Sequence, residues 1–214
     1  MIQCPSCGQR QEPQLICTQC GTPLGAELDC FAVFGLPRRL VIDTAALEST
    51  YHDLSRRIHP DRFAQRDARV RVASLRSTAL LTRSYRTLRD SIARGLYWLE
   101  LRGEKLGENN QQVPPDLAEL VFEVHDQLED ARAAKRRGNA AAAARTVSDR
   151  REELRGAMDA LDVELAANFE RWDRAEGEKP AALAIELKGV LSKIAYLRTL
   201  IRDVDREIEN LKAA

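Results

Sequence analysis

Histidine is scarce in this chain: three occur among 214 residues, at positions 52, 59 and 125. No Gly-rich phosphate loop, nucleophile elbow or His/carboxylate ligand set accompanies them, so the sequence offers nothing from which to assemble an active site, and it reads as non-enzymatic. Long uncharged apolar runs are also missing, and the opening Met-Ile-Gln-Cys has no basic region before an apolar one. No membrane span and no secretory signal are therefore expected. An Arg/Ser-rich leader is lacking too, which points to bacterial cytoplasm, although a processed mitochondrial chain would read the same. Net charge is zero, but its distribution is uneven. Residues 38–94 hold thirteen Lys/Arg against six Asp/Glu, and residues 95–214 hold nineteen against twenty-four. A basic stretch beside an acidic one suits docking to an acidic protein surface; solvated helix faces are the plainer alternative.

What is present begins with cysteine. Cys4-Pro-Ser-Cys7 and Cys17-Thr-Gln-Cys20 are two CxxC pairs nine residues apart, each followed by glycine, Gly8 and Gly21. Four thiolates at this spacing suit one structural zinc ion, with a rubredoxin-like iron or a redox dithiol as the alternatives. A segment this short cannot bury a core, so the metal would supply its folding energy. Disulfides are disfavoured, because nothing points to an oxidising compartment. Arg10 is the one basic residue of the segment, and four thiolates on a divalent ion leave net negative charge. Neither a basic ribbon nor stacking aromatics are present, which argues against nucleic-acid binding. Cys30 stands outside both pairs before an apolar run and reads as a small core residue.

The middle of the chain is organised around Ile58-His59-Pro60-Asp61-Arg62-Phe63. Leu47, Tyr51, Leu54 and Ile58 precede it at helical spacing, and Leu81, Tyr85, Leu88 and Ile92 repeat that spacing after it. Asp43 before Thr44 is a helix start, and Pro60 ends that helix while holding His59 out of the α region. Two antiparallel helices with His-Pro-Asp at the connecting tip are expected. The stripe Leu47, Tyr51, Leu54, Ile58 is expected to face Leu75, Ala79, Tyr85 and Leu88, with Phe31, Phe34 and Leu36 closing one end. Ser91 is expected to let the second helix run on through a soft bend.

Phe31-Ala-Val-Phe-Gly-Leu-Pro37, Asp43, Tyr51-His-Asp-Leu-Ser-Arg-Arg-Ile-His-Pro-Asp-Arg-Phe63, Leu81-Thr-Arg-Ser-Tyr-Arg-Thr-Leu-Arg89 and Arg94-Gly-Leu-Tyr-Trp-Leu99 together resemble a J-domain. More narrowly, they resemble the HscB (Jac) branch, the co-chaperones of iron–sulfur cluster assembly. The likeness covers residues 31 to about 102 well and the rest by helix pattern. It departs mildly from the family pattern, with Arg62 where lysine is usual and Ser91 where proline often follows. The resemblance implies that His59, Pro60 and Asp61 dock on an HscA/DnaK-type ATPase and stimulate its hydrolysis. Arg56, Arg57 and Arg62 would then be electrostatic contacts. Some members of the family also carry a cysteine-rich N-terminal module.

Three helical segments are expected after a polar connector at 103–115. The first, 115–137, carries Leu117, Leu120, Val121, Val124, Leu128 and Ala131, and stops at Arg136-Arg137-Gly138-Asn139. The second, 140–175, carries Val147, Leu154, Met158, Leu161, Leu165, Phe169 and Trp172, with Gly177 and Pro180 breaking the chain after it. The third alternates steps of three and four through Leu187, Val190, Ile194, Leu197, Ile201, Val204, Ile208 and Leu211. Short loops make an antiparallel three-helix bundle the expectation over a free coiled coil, so the chain should be a monomer or a weak dimer.

In the HscB family such a bundle binds the IscU-type scaffold on which iron–sulfur clusters are built. Alignment on the family helices implies a scaffold face at Ala118, Glu119, Phe122, Glu123 and Asp126, with Tyr196. Phe122 lies off the apolar stripe, as an interface anchor would, or equally a rim residue half covered by a neighbour.

The expected fold is all-α: a zinc-ribbon-like module at 1–25, a J-domain at 26–102, the connector 103–115 and a scaffold-binding bundle at 116–214. The expected function is a two-partner co-chaperone with no nucleic-acid or membrane partner. The alternative is a J-domain co-chaperone for a different client, selected by the zinc module.

Overall fold

Each cysteine pair closes a tight turn. Gly8 N–H donates to the Cys4 carbonyl at 3.1 Å, and Gly21 N–H donates to the Cys17 carbonyl at 3.0 Å. In this computed structural model the described residues are 1–104, 106, 113–175 and 181–213, and they form two units, Met1–Trp98 and Leu99–Ala214. In the first unit, β1 (Ile2–Gln3) pairs antiparallel with β2 (Arg10–Gln11), Ile2 opposite Gln11. A second turn is bridged between Ile16 and Pro23.

The chain then forms α1 (Cys30–Val33), α2 (Thr44–Ile58), a 3-10 turn over Pro60–Phe63, α3 (Ala68–Arg89) and α4 (Ser91–Glu100). Asp43 starts α2 as expected: its Oδ1 accepts from the N–H groups of Ala45 and Ala46, both at 3.0 Å. These are two of the donors that every helix start leaves unpaired.

The α2–α3 seam differs from the sequence expectation. Leu47, Ile58, Leu81, Tyr85 and Leu88 are buried, but Leu75 and Ala79 are exposed. The first half of α3 turns Val70, Ala73, Ser74 and Ser77 inward instead. The physical reason is close approach plus a hydrogen bond. Ser74 Oγ donates to the Ile58 carbonyl at 2.7 Å, where the end of α2 leaves that oxygen without a helical partner. A leucine in its place would keep the two helices apart. Further along, Tyr51 and Tyr85 stack with ring centroids 4.2 Å apart.

The expected soft bend at Ser91 is a break. Asp90 is extended (φ −80°, ψ 121°), and its Oδ1 accepts from Ala93 N–H at 2.7 Å, so it ends α3 and starts α4 as a fresh helix. Buried Arg94 donates from Nη1 to the Leu88 carbonyl at 2.5 Å, covering the end of α3. Phe31 packs edge-on against Trp98 at 5.9 Å. Cys30 is buried as expected, and its N–H donates to Tyr97 Oη at 3.0 Å.

The second unit is a bundle of α5 (Ala118–Arg136), α6 (Ala140–Arg174) and α7 (Ala181–Lys212). The expected stripes are the ones that pack. Val121, Val124, Leu128 and Ala131 of α5 are buried, as are Val147, Leu154, Leu161, Leu165, Phe169 and Trp172 of α6. On α7 the seam from Leu187 to Leu211 is joined by Leu191 and Leu200. The α5–α6 turn is a Schellman closure: Asn139 N–H donates to the Ala134 carbonyl and Gly138 N–H to that of Lys135, both at 3.0 Å.

Polar ties set the order of the helices. Lys193 meets Asp116 at 2.6 Å, Arg132 meets Glu207 at 2.9 Å, and Lys135 reaches the Asn210 carbonyl at 2.6 Å. Both sets of numbers rise together, so α5 runs parallel to α7 and antiparallel to α6. Residues 99–104 belong to this unit, with the Arg102 guanidinium 5.1 Å over the Trp172 ring. Most of the expected connector (105 and 107–112) and the expected break at Gly177 and Pro180 lie outside the described residues.

Candidate metal centre and interaction sites

The two turns bring Cys4, Cys7, Cys17 and Cys20 together, with all four sulfurs within 4.8 Å of one another. Cys4 and Cys20 sulfurs lie 3.6 Å apart, and those of Cys7 and Cys17 lie 3.8 Å apart. A tetrahedral tetrathiolate with bonds of about 2.3 Å has edges of about 3.8 Å, so the donor set fits one ion. The surroundings favour thiolates. Ser6 N–H lies 3.5 Å from Cys4 Sγ, and the Thr22 hydroxyl lies 3.3 Å from Cys20 Sγ. Burial opposes ionisation of Cys17, yet the Cys20 backbone N–H and the Gln11 side chain prevail and bring it down to about 6. At Cys7 the Gln9 backbone N–H works the other way, but burial and the three neighbouring sulfurs push it up to about 12. Four protons cannot be shed independently in so small a space; a cation at the centre removes that conflict.

Gln11 is a residue that motif reading passed over. Its Oε1 accepts from Thr18 N–H at 3.2 Å and from Thr18 Oγ1 at 3.0 Å, bracing the second turn. Its Nε2 is buried without a hydrogen-bond partner among the described residues, and the Gln11 side chain is one of the groups that lower Cys17.

The module is held on the helices by two devices. Leu15, between the cysteine pairs, is buried in one cluster with Val33, Ile58 and Leu81. Gly25 lies against α3: a Cβ there would come within 3.1 Å of the Ala73 Cα, and φ is +61°, so glycine is required on both counts. Its N–H donates to Ser77 Oγ at 3.1 Å. Leu15 sits in a polar stretch with one apolar neighbour, Ile16, and that pairing was the only sequence signal for it.

At the far end of α2, Pro60 opens the 3-10 turn and His59 is extended, with ψ 132°. Asp61 N–H donates to His59 Nδ1 at 3.3 Å. The Asp61 carboxylate is 90% exposed, and its Oδ2 lies 3.4 Å from His59 Nδ1. Arg62 Nη1 reaches the Arg56 carbonyl at 3.4 Å, and Arg56 pairs with Asp53. Arg57 is exposed on the same last turn of α2. All six residues singled out from the sequence therefore share one tip.

In the second unit Ala118, Glu119, Phe122, Glu123 and Asp126 form one exposed face of α5, with Phe122 74% exposed. Glu123 is tied to Arg150 at 3.1 Å. Tyr196 is half-buried on α7, one turn beyond the Lys193 that pairs with Asp116.

No family model matches the sequence. It is similar to the co-chaperone protein HscB homolog of Burkholderia multivorans, 31% identical over 184 residues, spanning 85% of this chain and 95% of that one. The homolog from Aromatoleum aromaticum is 40% identical over 107 residues, 50% of this chain and 60% of the relative. In fold, the chain resembles the crystal structure of human co-chaperone protein HscB, with a TM-score of 0.62 at 23% identity over 95% and 96% of the two chains. It also resembles chaperone HscB from Vibrio cholerae, with a TM-score of 0.54 at 24% identity over 86% and 99%. These structures bear out the all-α architecture, and the near-full-length match at 31% identity carries the assignment. The chain belongs to the HscB family, whose members are co-chaperones and not enzymes.

Proposed function

We propose that this chain serves iron–sulfur cluster assembly by holding two partners at once. An HscA/DnaK-type ATPase docks on the tip of the first unit, and an IscU-type scaffold docks on the α5 face of the second. The observation that carries the reading is the tip itself. His59, Pro60 and Asp61 are displayed at the end of a helical hairpin whose last carbonyl is pinned by Ser74. The exposed Asp61 carboxylate can take a bidentate arginine from the partner in place of its 3.4 Å contact with His59, and Pro60 fixes the approach at low entropic cost. Arg56, Arg57 and Arg62 supply positive potential around it. The chain has no chemistry of its own in this scheme; it biases a conformational equilibrium in the ATPase. Carrying the scaffold on the same chain raises its effective concentration at the chaperone.

The scaffold face rests on Phe122, an aromatic standing in solvent among Ala118, Glu119, Glu123 and Asp126. Tyr196 would meet the scaffold at its edge. The cysteine module takes zinc, whose indifference to geometry suits four sulfurs on two short turns, and the ion's role is to fix those turns. We assign the functional modules to 1–25, 26–102 and 116–214, joined by 103–115. Among the described residues no helix is long and apolar enough to cross a membrane. With relatives from bacteria, this supports action in the bacterial cytoplasm. The α7 seam is buried inside its own bundle, which supports a monomer or weak dimer.

The test is ATP turnover by the matching chaperone, with and without scaffold, on adding this chain, its His59→Gln variant or its Phe122→Ala variant. Stimulation should vanish with His59→Gln, while Phe122→Ala should remove only the part that depends on scaffold. Stimulation with no scaffold dependence would sink the second half and point to another client. Stimulation by His59→Gln would sink the first.

A further inference from the structure

We propose that the face of α3 beside the metal module is a docking surface for an acidic, apolar-anchored segment of a partner protein. This surface is distinct from the His59 tip, and the proposal stands whether or not that tip acts on a chaperone.

Helix α3 carries six arginines, at 69, 71, 76, 83, 86 and 89, and not one Asp or Glu. Opposite charges three or four residues apart stabilise an exposed helix face, and α3 has no acidic residue to supply them. Three of the six line up. Arg69, Val72, Arg76, Leu80 and Arg83 follow steps of three, four, four and three, which places them on one stripe. Arg69, Arg76 and Arg83 are exposed and form no ion pair among the described residues.

The stripe is not flat surface. Two grooves run along it, between the helix and the N-terminal segment. In the first, Arg69, Val72 and Arg76 face Gln3, Pro5 and Leu24. In the second, Arg76, Leu80 and Arg83 face Ala26, Glu27 and Leu28. Gly25 borders both, and Arg76 is shared, so the two form one track. Val72 is 46% exposed inside it. The first groove has an apolar floor of Val72, Leu24 and Pro5 between Arg69 and Arg76, while the second is more polar and includes Glu27 beside Arg76 and Arg83; the arginines repeat at a pitch of about 10 Å over a run of about 21 Å.

That combination selects the occupant. Carboxylates at a matching pitch pair with the guanidinium rim, and apolar side chains between them cover Val72, Leu24 and Pro5. A nucleic acid fits poorly, because the track offers no aromatic ring for a base to stack on. Lone carboxylate ligands would leave the apolar floor bare.

The experiment uses the full-length, metal-loaded chain. The probe is a fluorescein-labelled 14-residue peptide with Glu at every third position and Leu between, read by anisotropy. A twin with Gln for every Glu and a 14-nucleotide oligothymidine are run beside it. The Glu peptide should bind roughly tenfold tighter than its twin, and its affinity should fall as salt rises. Arg76→Glu should weaken it by roughly fivefold and Val72→Asp by a similar factor, whereas Arg202→Glu on α7 should change nothing. Circular dichroism and metal content confirm that each variant folds, and chemical-shift changes should centre on residues 69–83. Equal binding of the Gln twin would overturn the proposal. So would indifference to Arg76→Glu in a folded variant, or tighter binding of the oligonucleotide through the same arginines.

Discussion

The two helical seams of this protein are built on opposite plans. Between α6 and α7 the contact is volume: Leu154, Leu165, Ile194, Leu197 and Val204 are fully or almost fully buried along a heptad. Around the first half of α3 it is proximity: Ser74 secures the Ile58 carbonyl at the end of α2, and Ala73 and Ser77 let Gly25 of the N-terminal segment come close. A leucine seam is strong and tolerant of small shifts. A small-residue seam is weaker but fixes position, and it lies next to the His59 turn. The difference also extends to how each unit closes. The bundle needs only its own side chains, whereas the first unit takes Leu15 from a short segment whose four cysteines could hold a metal ion.

Removing the metal tests that contrast most severely. Chelation, or Cys17→Ser, should unfold residues 1–24, because binding supplies on the order of 10 kcal/mol that so small a segment cannot replace. Losing Leu15 from the Ile58 cluster should cost the α2–α3 hairpin a further 2–4 kcal/mol or so. Calorimetry should then show the first unit melting earlier and the bundle unmoved; a shared shift would mean the units are not separable. Next in size, Ile194→Ala should cost about 3 kcal/mol by opening a cavity in the bundle, measured by urea unfolding, with no change at the tip. Ser74→Ala should cost only about 1 kcal/mol globally. Yet hydrogen exchange at residues 59–63 should speed up far more than it does after Ile194→Ala. If the two variants loosen the tip equally, the proximity argument fails.

The smallest effect is electrostatic. Burial resists ionisation of Asp29, but the Ala32 N–H and the Arg38 guanidinium hold its carboxyl below the ordinary range. Its folded pKa is depressed, so its stabilisation is present at neutral pH and is lost as pH falls through and below the usual carboxylate value. Asp29→Asn should flatten that acid limb of the first unit's stability by about 0.5 kcal/mol. The bundle's acid limb should be unaffected.

How much of this was legible beforehand divides along the same line. The bundle was read almost completely, since leucine and isoleucine at steps of three and four announce a buried face without ambiguity. The four sulfurs and the His59 tip were legible as well, because their spacing is their chemistry. The α2–α3 register was not. Leu75 looks like core by type and is exposed, while Ser74 and Ser77 look like surface and are buried, because their hydroxyls have partners at Ile58 and Gly25. Leu15 and Gln11 were missed for a related reason: each acts on a residue far from it in sequence or across a turn, and a one-dimensional pattern does not show that.

The burial of Leu15 also sets an order of events. Its partners Ile58 and Leu81 are made 43 and 66 residues later. At about 5–20 residues per second, the second of these follows Leu15 by roughly 3–13 seconds. Both cysteine pairs are complete by residue 20. During synthesis, therefore, the four thiols meet the cell's metal pool before there is any helix for their module to dock against. An ion taken at that stage would be in place before the helices close over Leu15, while Cys7 and Cys20 stay exposed in the finished fold.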